Sequence, residues 1–403
     1  MWIRVAFASA ALVAWGLPAH AQTVLTEAEA LARFSAGVYA RAARAGAGVA
    51  HAEEHRAGQW PNPFLSFGRE GAAGVTETIT SVAQPLPVTG RLGLERREAA
   101  VLALAAEGRA DDVVRRARAD LRLAYAEVAS AQGRETELAR TRERLTDLVA
   151  ALDRRVAAGD AAGYDRLRAE REVLEVDADL RIAAADRARA QGALGALIGT
   201  TAAETNFRVA DLPVTAPTLP SVADLVIQAR RARSDLQALA RDREAASVSV
   251  EVAGKRRFPE PEAFGGAKTS SAGGTGSVVG VQATLPLFNR GAADRAVAEA
   301  RIQQADQRLA LGEQALAAQV AAGHAASGLR HEAAGEYRRA AARTADDLER
   351  IARVAYDAGE RGILELVDAH RLASQARLRQ VALDLAARQA DIELEYVSGW
   401  EVP

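Results

Sequence analysis

Two stretches place chemically capable residues at spacings that matter. In HAEEH, His51 and His55 lie four apart with Glu54 just before the second imidazole. On a helix this is the H-x-x-E-H pattern that can hold zinc beside a glutamate base. Near the other end, YDAGERGILELVDAH runs from Tyr356 to His370 and gathers a tyrosine, an arginine and the acids Glu365 and Asp368 around a glycine turn. Glu365 and Asp368 are three apart and share a helix face, so their like charges need water, a cation or an arginine. A zinc hydrolase would need a third ligand, a closed pocket and a supporting second shell. The alanine-rich surroundings of HAEEH offer none of these, and a solvated helix face is the simpler reading. His324 and His331, seven apart, and His370 fit lone polar positions in a helical seam as well as contacts to passing metal ions. No nucleophile–base–acid arrangement, phosphate loop or dinucleotide fingerprint stands out: GAGVA and AGGTGS fall in helix or hairpin-loop contexts, where glycine serves packing and turning. The sequence therefore predicts no enzyme, no cofactor and no resident metal.

The elements that must position the acidic turn are long. The 403-residue chain is 49% hydrophobic, but much of this is alanine, with 4% aromatics, no cysteine and one methionine. Alanine, arginine, glutamate and leucine at helical spacing indicate long helices and coiled coils. The net charge of -2 gives no support to nucleic-acid binding. Arg91 to Val156 contains no proline, and a continuous helix of that length would reach roughly 100 Å. Leu138, Leu145 and Leu152 recur every seven residues, as do Ile302, Leu309 and Leu316; such seams wind against partner helices. On this pattern alone the chain would be a coiled-coil scaffold.

Two Pro/Gly segments change that reading. NPFLSFGRE and TETITSVAQPLP flank GAAG, while PEAFGGAKTS and GSVVGVQATLPLF flank a second glycine-rich loop. Each pair predicts a β-hairpin, at about 62–87 and 260–288, with Val279, Val281, Ala283 and Leu285 on one face. Strands of about nine to twelve residues match a tilted crossing of a bilayer. Four strands cannot close a barrel, and an open edge in lipid is not tolerated; three chains would supply twelve.

The plan occurs twice. A helix from Thr26, a hairpin, a long run, a break at Gly159 and a further helix are followed by a second copy with its break at Gly359. This register implies internal duplication, with repeats at 22–210 and 222–403 and a linker at 211–221. Ahead of them, MWIRVAFASAALVAWGLPAHA has an early arginine, an apolar core and an A-x-A site, and predicts a signal peptide over 1–21. The absence of cysteine excludes lipid attachment through one.

Together these features resemble the outer-membrane factor family, the TolC-like exit ducts of efflux and type I secretion. The marks are LTEAEALARF, WPNPFLSF, QPLPVTGRLGLERREA, ARRARSDLQAL, LPLFNRG and YDAGERGILELVDAHRLASQA, spread over both repeats. The resemblance implies a mainly α fold with a small β part: a long coiled-coil α-helical barrel plus four membrane β-strands per chain, twelve in a homotrimer. It implies an outer-membrane channel working with a periplasmic adaptor and an inner-membrane pump of the RND type. The QPLPVTGR/LPLFNRG pair looks most like the heavy-metal, cobalt-zinc-cadmium branch, and so implies metal cations as cargo; multidrug or protein-secretion ducts are the alternatives. Carried over by position, the family's periplasmic gate falls on Asp165, Tyr356, Arg361, Glu365 and Asp368, and the turns for adaptor docking on Gly159 and Gly359. The family usually has aspartate where this chain has Glu365. Such a gate implies a bridge from Tyr356 and Arg361 to Asp165, and acidic rings that attract cations.

Overall fold

The computed structural model describes residues 24–158, 163–200, 207–211 and 215–401. The predicted signal peptide and the Gly159 turn lie outside the described residues, as do parts of the linker. The chain begins with β1 (Val24–Leu25), α1 (Glu27–Ala36) and α2 (Val38–Ala57). The hairpin β2 (Phe64–Ala72) and β3 (Val75–Pro85) leads into α3 (Arg91–Ala158), then α4 (Gly163–Ile198) and β4 (Arg208–Val209). The second repeat follows with α5 (Val222–Ala232), α6 (Ser234–Lys255), β5 (Pro261–Ser270) and β6 (Thr275–Ala283). Its long run comprises α7 (Ala292–Tyr337), a π-turn at Arg338–Ala342 and α8 (Arg343–Asp357); α9 (Ile363–Ser398) completes it.

The first helix of each repeat is split, where the sequence predicted one piece. Thr26 caps α1 through a reciprocal bond with Glu29, and the extended Gly37 ends that helix and starts α2. In the second repeat Ser221 accepts from the Asp224 N–H, and Arg233 breaks α5 from α6. The 68-residue α3 runs unbroken, about 100 Å at 1.5 Å per residue. Its predicted seam is buried, with Leu138, Leu145 and Leu152 at most 2% exposed. In α7 only Leu316 of the predicted trio is fully buried, and Ala298 and Ala305 carry the seam above it. Small residues there allow a close helix approach, so a large-residue pattern understates the contact.

The hairpins form one antiparallel sheet in the order β2-β3-β5-β6. Opposed residues share a face, so the register sorts the side chains. One face carries Leu65, Phe67, Val82, Gly265, Ala267, Val279 and Val281, with Arg69 near the hairpin turn; the other carries Glu70, Glu77, Lys268 and Glu262. Leu65, Phe67, Val279 and Val281 are 70–83% exposed on the apolar face. Lys268 pairs with Glu77 at 2.5 Å on the charged face. At Gly266 an added Cβ would lie 2.1 Å from the Thr80 carbonyl oxygen, so only glycine allows this approach of β5 to β3. Below the sheet, Arg91 at the start of α3 binds Glu95 of the same helix (2.7 Å) and Glu260 (2.6 Å), the residue just before β5, tying the helix to the entry of the strand.

A two-stranded parallel sheet, β1 with β4, was not legible in the sequence. Each strand has two residues, too few for any alternation to show. The buried Tyr125 of α3 holds the pair: its hydroxyl donates to the Leu25 carbonyl at 2.8 Å and accepts from the Ala210 N–H at 3.0 Å. Gln132 bonds both backbone groups of Val209. The Ala210 N–H also donates to the Leu25 carbonyl at 3.1 Å, so Tyr125→Phe removes the bridging hydroxyl without orphaning either group and should lower unfolding stability by about 0.5–1.5 kcal/mol, read from denaturant unfolding of the solubilised protein.

Candidate functional site

The end of the helical body away from the sheet is closed, in the second repeat, by a turn that only its sequence permits. Gly359 has φ +75°, the left-handed conformation open to glycine. The Gly359 N–H bonds the Tyr356 carbonyl and the Glu360 N–H bonds that of Ala355, a Schellman ending to α8. Four helices meet just above: Leu148 and Leu152 of α3, Ala169 of α4, and Ile363, Leu366 and Val367 of α9 form a buried cluster. Ala352 and Tyr356 of α8 pack against it.

Of the predicted gate residues Tyr356 packs against this cluster, and the others lie within four positions of its members in the chain. Tyr356 is half-buried, and the Arg155 guanidinium sits 5.3 Å from its ring centroid. Arg361 is exposed in the turn; within one chain, among the described residues, it makes no ion pair with Asp165. Asp165 and Glu365 occupy the first turns of α4 and α9, where a helix's amide ends favour negative charge. The Glu365 carboxylate folds back towards Gly362, 3.2 Å from where a Cβ would stand. Asp368, one turn on, receives a 2.6 Å bond from Arg371. The structure thus gathers Tyr356, Arg361, Glu365 and Asp368 around one turn; Gly159 lies outside the described residues.

Two of the histidines, His331 and His370, sit in helical seams, one of the two places the sequence offered them. His370 is 3% exposed, so it is walled off from passing ions. Its Nδ1 lies 3.0 Å from Glu349 of α8, and its Nε2 is buried without a hydrogen-bond partner. Burial pushes its pKa below the usual histidine value; Glu349 opposes this, while Arg353 and Arg144 reinforce it. His331 is buried too, 2.8 Å from Asp391, which also accepts from Ser327 at 2.8 Å. His324 meets the Pro220 carbonyl at 3.2 Å. His51 ties α2 to α3 through Glu107 at 2.7 Å, so HAEEH is an interhelical contact as well as a solvated face. Among the described residues no group of three or more His, Asp or Glu could hold a metal ion.

The ion pairs around Glu349 escaped the sequence reading altogether. Its partner Arg144 stands 205 residues earlier, and no local pattern joins positions so far apart. Replacing Leu366, 2% exposed at the centre of the tip cluster, by alanine should cost about 2–5 kcal/mol locally. Faster amide exchange confined to the lower turns of α8 and α9 would register it.

No curated protein matches the chain in sequence. Residues 225–399 match the family model described as outer membrane efflux protein. Among solved structures, the outer-membrane channel OprN is similar at 21% identity and TM-score 0.76, covering 93% of this chain and 89% of its own. CusC, solved for conformational changes accompanying folding and transmembrane channel formation, gives 18% and 0.78, with 93% and 92% covered. The outer membrane protein VceC of Vibrio cholerae gives 18% and 0.77, with 93% and 96% covered. Through its second repeat the chain carries the sequence pattern of the outer membrane efflux proteins, and through nearly its whole length it has the fold of outer-membrane channels.

Proposed function

We propose that the chain is one of three identical subunits of an outer-membrane exit duct of the outer-membrane factor family, exported by the signal peptide at residues 1–21. It is a conduit, not an enzyme. The observation that carries this reading is the sheet: four strands of nine to eleven residues, one face mainly apolar and exposed with Arg69 its one charge, near the hairpin turn, the other bearing Glu70, Glu77, Lys268 and Glu262. That is the division a barrel wall needs between lipid and water. The outer strands β2 and β6 each have only one neighbour among the described residues. Three copies joined edge to edge would close twelve strands and leave none open to lipid. Among the described residues no helix is long and apolar enough to cross a membrane; the exposed apolar sheet face is what supports the sheet as the part that enters the bilayer.

The helical body then continues the duct across the periplasm, and its tip is the gate. Asp165, Tyr356, Arg361, Glu365 and Asp368 hold that gate, and the turns at Gly159 and Gly359 receive a periplasmic adaptor, which couples the duct to an RND-type inner-membrane pump. Threefold assembly sets Glu365 and Asp368 in rings on the axis, which favour cations. Together with the QPLPVTGR/LPLFNRG pair this supports metal cations as cargo.

Two measurements test the reading. Val279→Arg on the apolar face should cost about 2–4 kcal/mol of membrane insertion and deplete the protein from outer-membrane fractions, while Gln282→Arg on the charged face leaves it in place; equal recovery would refute the lipid assignment. In planar bilayers, replacing Tyr356 by Phe and Arg361 by Ala together should raise the resting current severalfold; an unchanged current removes the gate from this turn.

A further inference from the structure

We infer that Glu349 is a clasp holding α8 to α3 and α9, and that protonation of His370 releases it. The inference rests on the duct reading for its consequence, but the clasp itself is a matter of geometry.

Helix α8 has modest apolar anchorage: Ala345 is its one fully buried residue among those described, and Ala352 and Tyr356 pack partly buried against the tip cluster. Leu348, Ile351 and Val354 are 44–61% exposed. Charge supplies the rest of its attachment. The Glu349 side chain is 14% exposed and accepts two bonds from Arg144 of α3, at 2.9 and 3.0 Å. On α9, Arg377 reaches Glu349 at 3.0 Å and Asp346 at 2.6 Å, and His370 Nδ1 stands 3.0 Å from the same carboxylate. One carboxylate thereby joins three helices. A partly buried hub of this kind is costly to break from one side, because the remaining charges are left uncompensated.

The ends of α8 are built to let it move. Below it lies the glycine turn, and above it the π-turn at Arg338–Ala342; π-turns within α-helices recur at functional sites. Above the π-turn, α7 is fixed to α9 by the buried Ser327–Asp391–His331 group. Gln380 of α9 also donates to the Ala334 carbonyl, 3.3 Å away. The π-turn therefore separates a fixed segment from a clasped one.

His370 makes the clasp sensitive to protons. The charged groups facing its ring are Glu349 and Arg353 of α8 and Arg144 of α3, with Arg377 of its own helix on the far side of the Glu349 carboxylate. Protonation adds a buried Nε2–H with no acceptor within reach, which costs its full desolvation. The clasped state so binds the proton less tightly than a state in which the ring meets water. Clasping is fully favoured above the ordinary histidine value of about 6.5 and weakens as the pH falls from there through the depressed one.

The native chain has no cysteine, so spin labels can be confined to Ile351→Cys on α8 and Leu174→Cys on α4, both exposed. Distances are measured on the full-length assembled protein in detergent at pH 8 and pH 5, with bilayer currents in parallel. With Glu349 intact, the distance should lengthen or broaden at pH 5. Glu349→Gln should show the changed distribution already at pH 8, with about tenfold more of the unclasped form, as expected from loss of a charge-assisted hydrogen bond. His370→Gln should remove the pH response. Arg377→Gln, at the edge of the same clasp, carries the test if Glu349→Gln does not assemble. Unchanged distances in Glu349→Gln and Arg377→Gln overturn the clasp, and so does a pH response that survives His370→Gln. Distances that shift as expected, without any current from any form, leave the clasp standing and refute the duct.

Discussion

A β-sheet with free edges cannot rest in lipid, since each unpaired backbone group there costs several kcal/mol. On the duct reading, that constraint organises the molecule. The sheet β2-β3-β5-β6 has a mainly apolar face, a charged face and two outer edges, and identical copies joined at those edges would leave none open. Closure by repetition would then ask of the helices beneath that each pack on neighbours within its chain and leave a flank for the next. The many half-exposed leucines and valines on α3, α4, α7 and α8 suit such shared walls better than a free surface.

Much of the fold was legible because its periods are strong. The seven-residue spacing of Leu138, Leu145 and Leu152 foretold a buried seam, and alternation around Val279 and Val281 foretold the apolar sheet face. The order helix, hairpin, long helix recurs in the structure, from α1 to α3 and again from α5 to α7. The splits at Gly37 and Arg233 were not legible, since neither residue breaks a helix on its own. Nor was the π-turn, whose RRAAA sequence is ordinary helix material.

At the tip, sequence reasoning found the charged turn but not what restrains it. Tyr356, Arg361, Glu365 and Asp368 are close in the chain and announce themselves. Glu349, Arg144 and Arg377 come together only when three helices align. For His370 the sequence left open a seam position or a contact to passing ions, and its place on α9 turns it inward to 3% exposure. A helix turn of two positions separates a side chain facing solvent from one facing the core, and only packing decides which.

The pairing of β3 with β5 sets the order in which the protein can be made. At one end of it the Ser271 N–H donates to the Thr76 carbonyl, and the Thr76 N–H to the Ser271 hydroxyl, across 195 residues, and contacts so distant form late. Until the second hairpin has been synthesised, the first one stands with β3 uncovered, a template for any passing strand. The duplicated plan thus carries a hazard in time: half a molecule is already sticky, and safe biogenesis needs either speed or something to shield that edge.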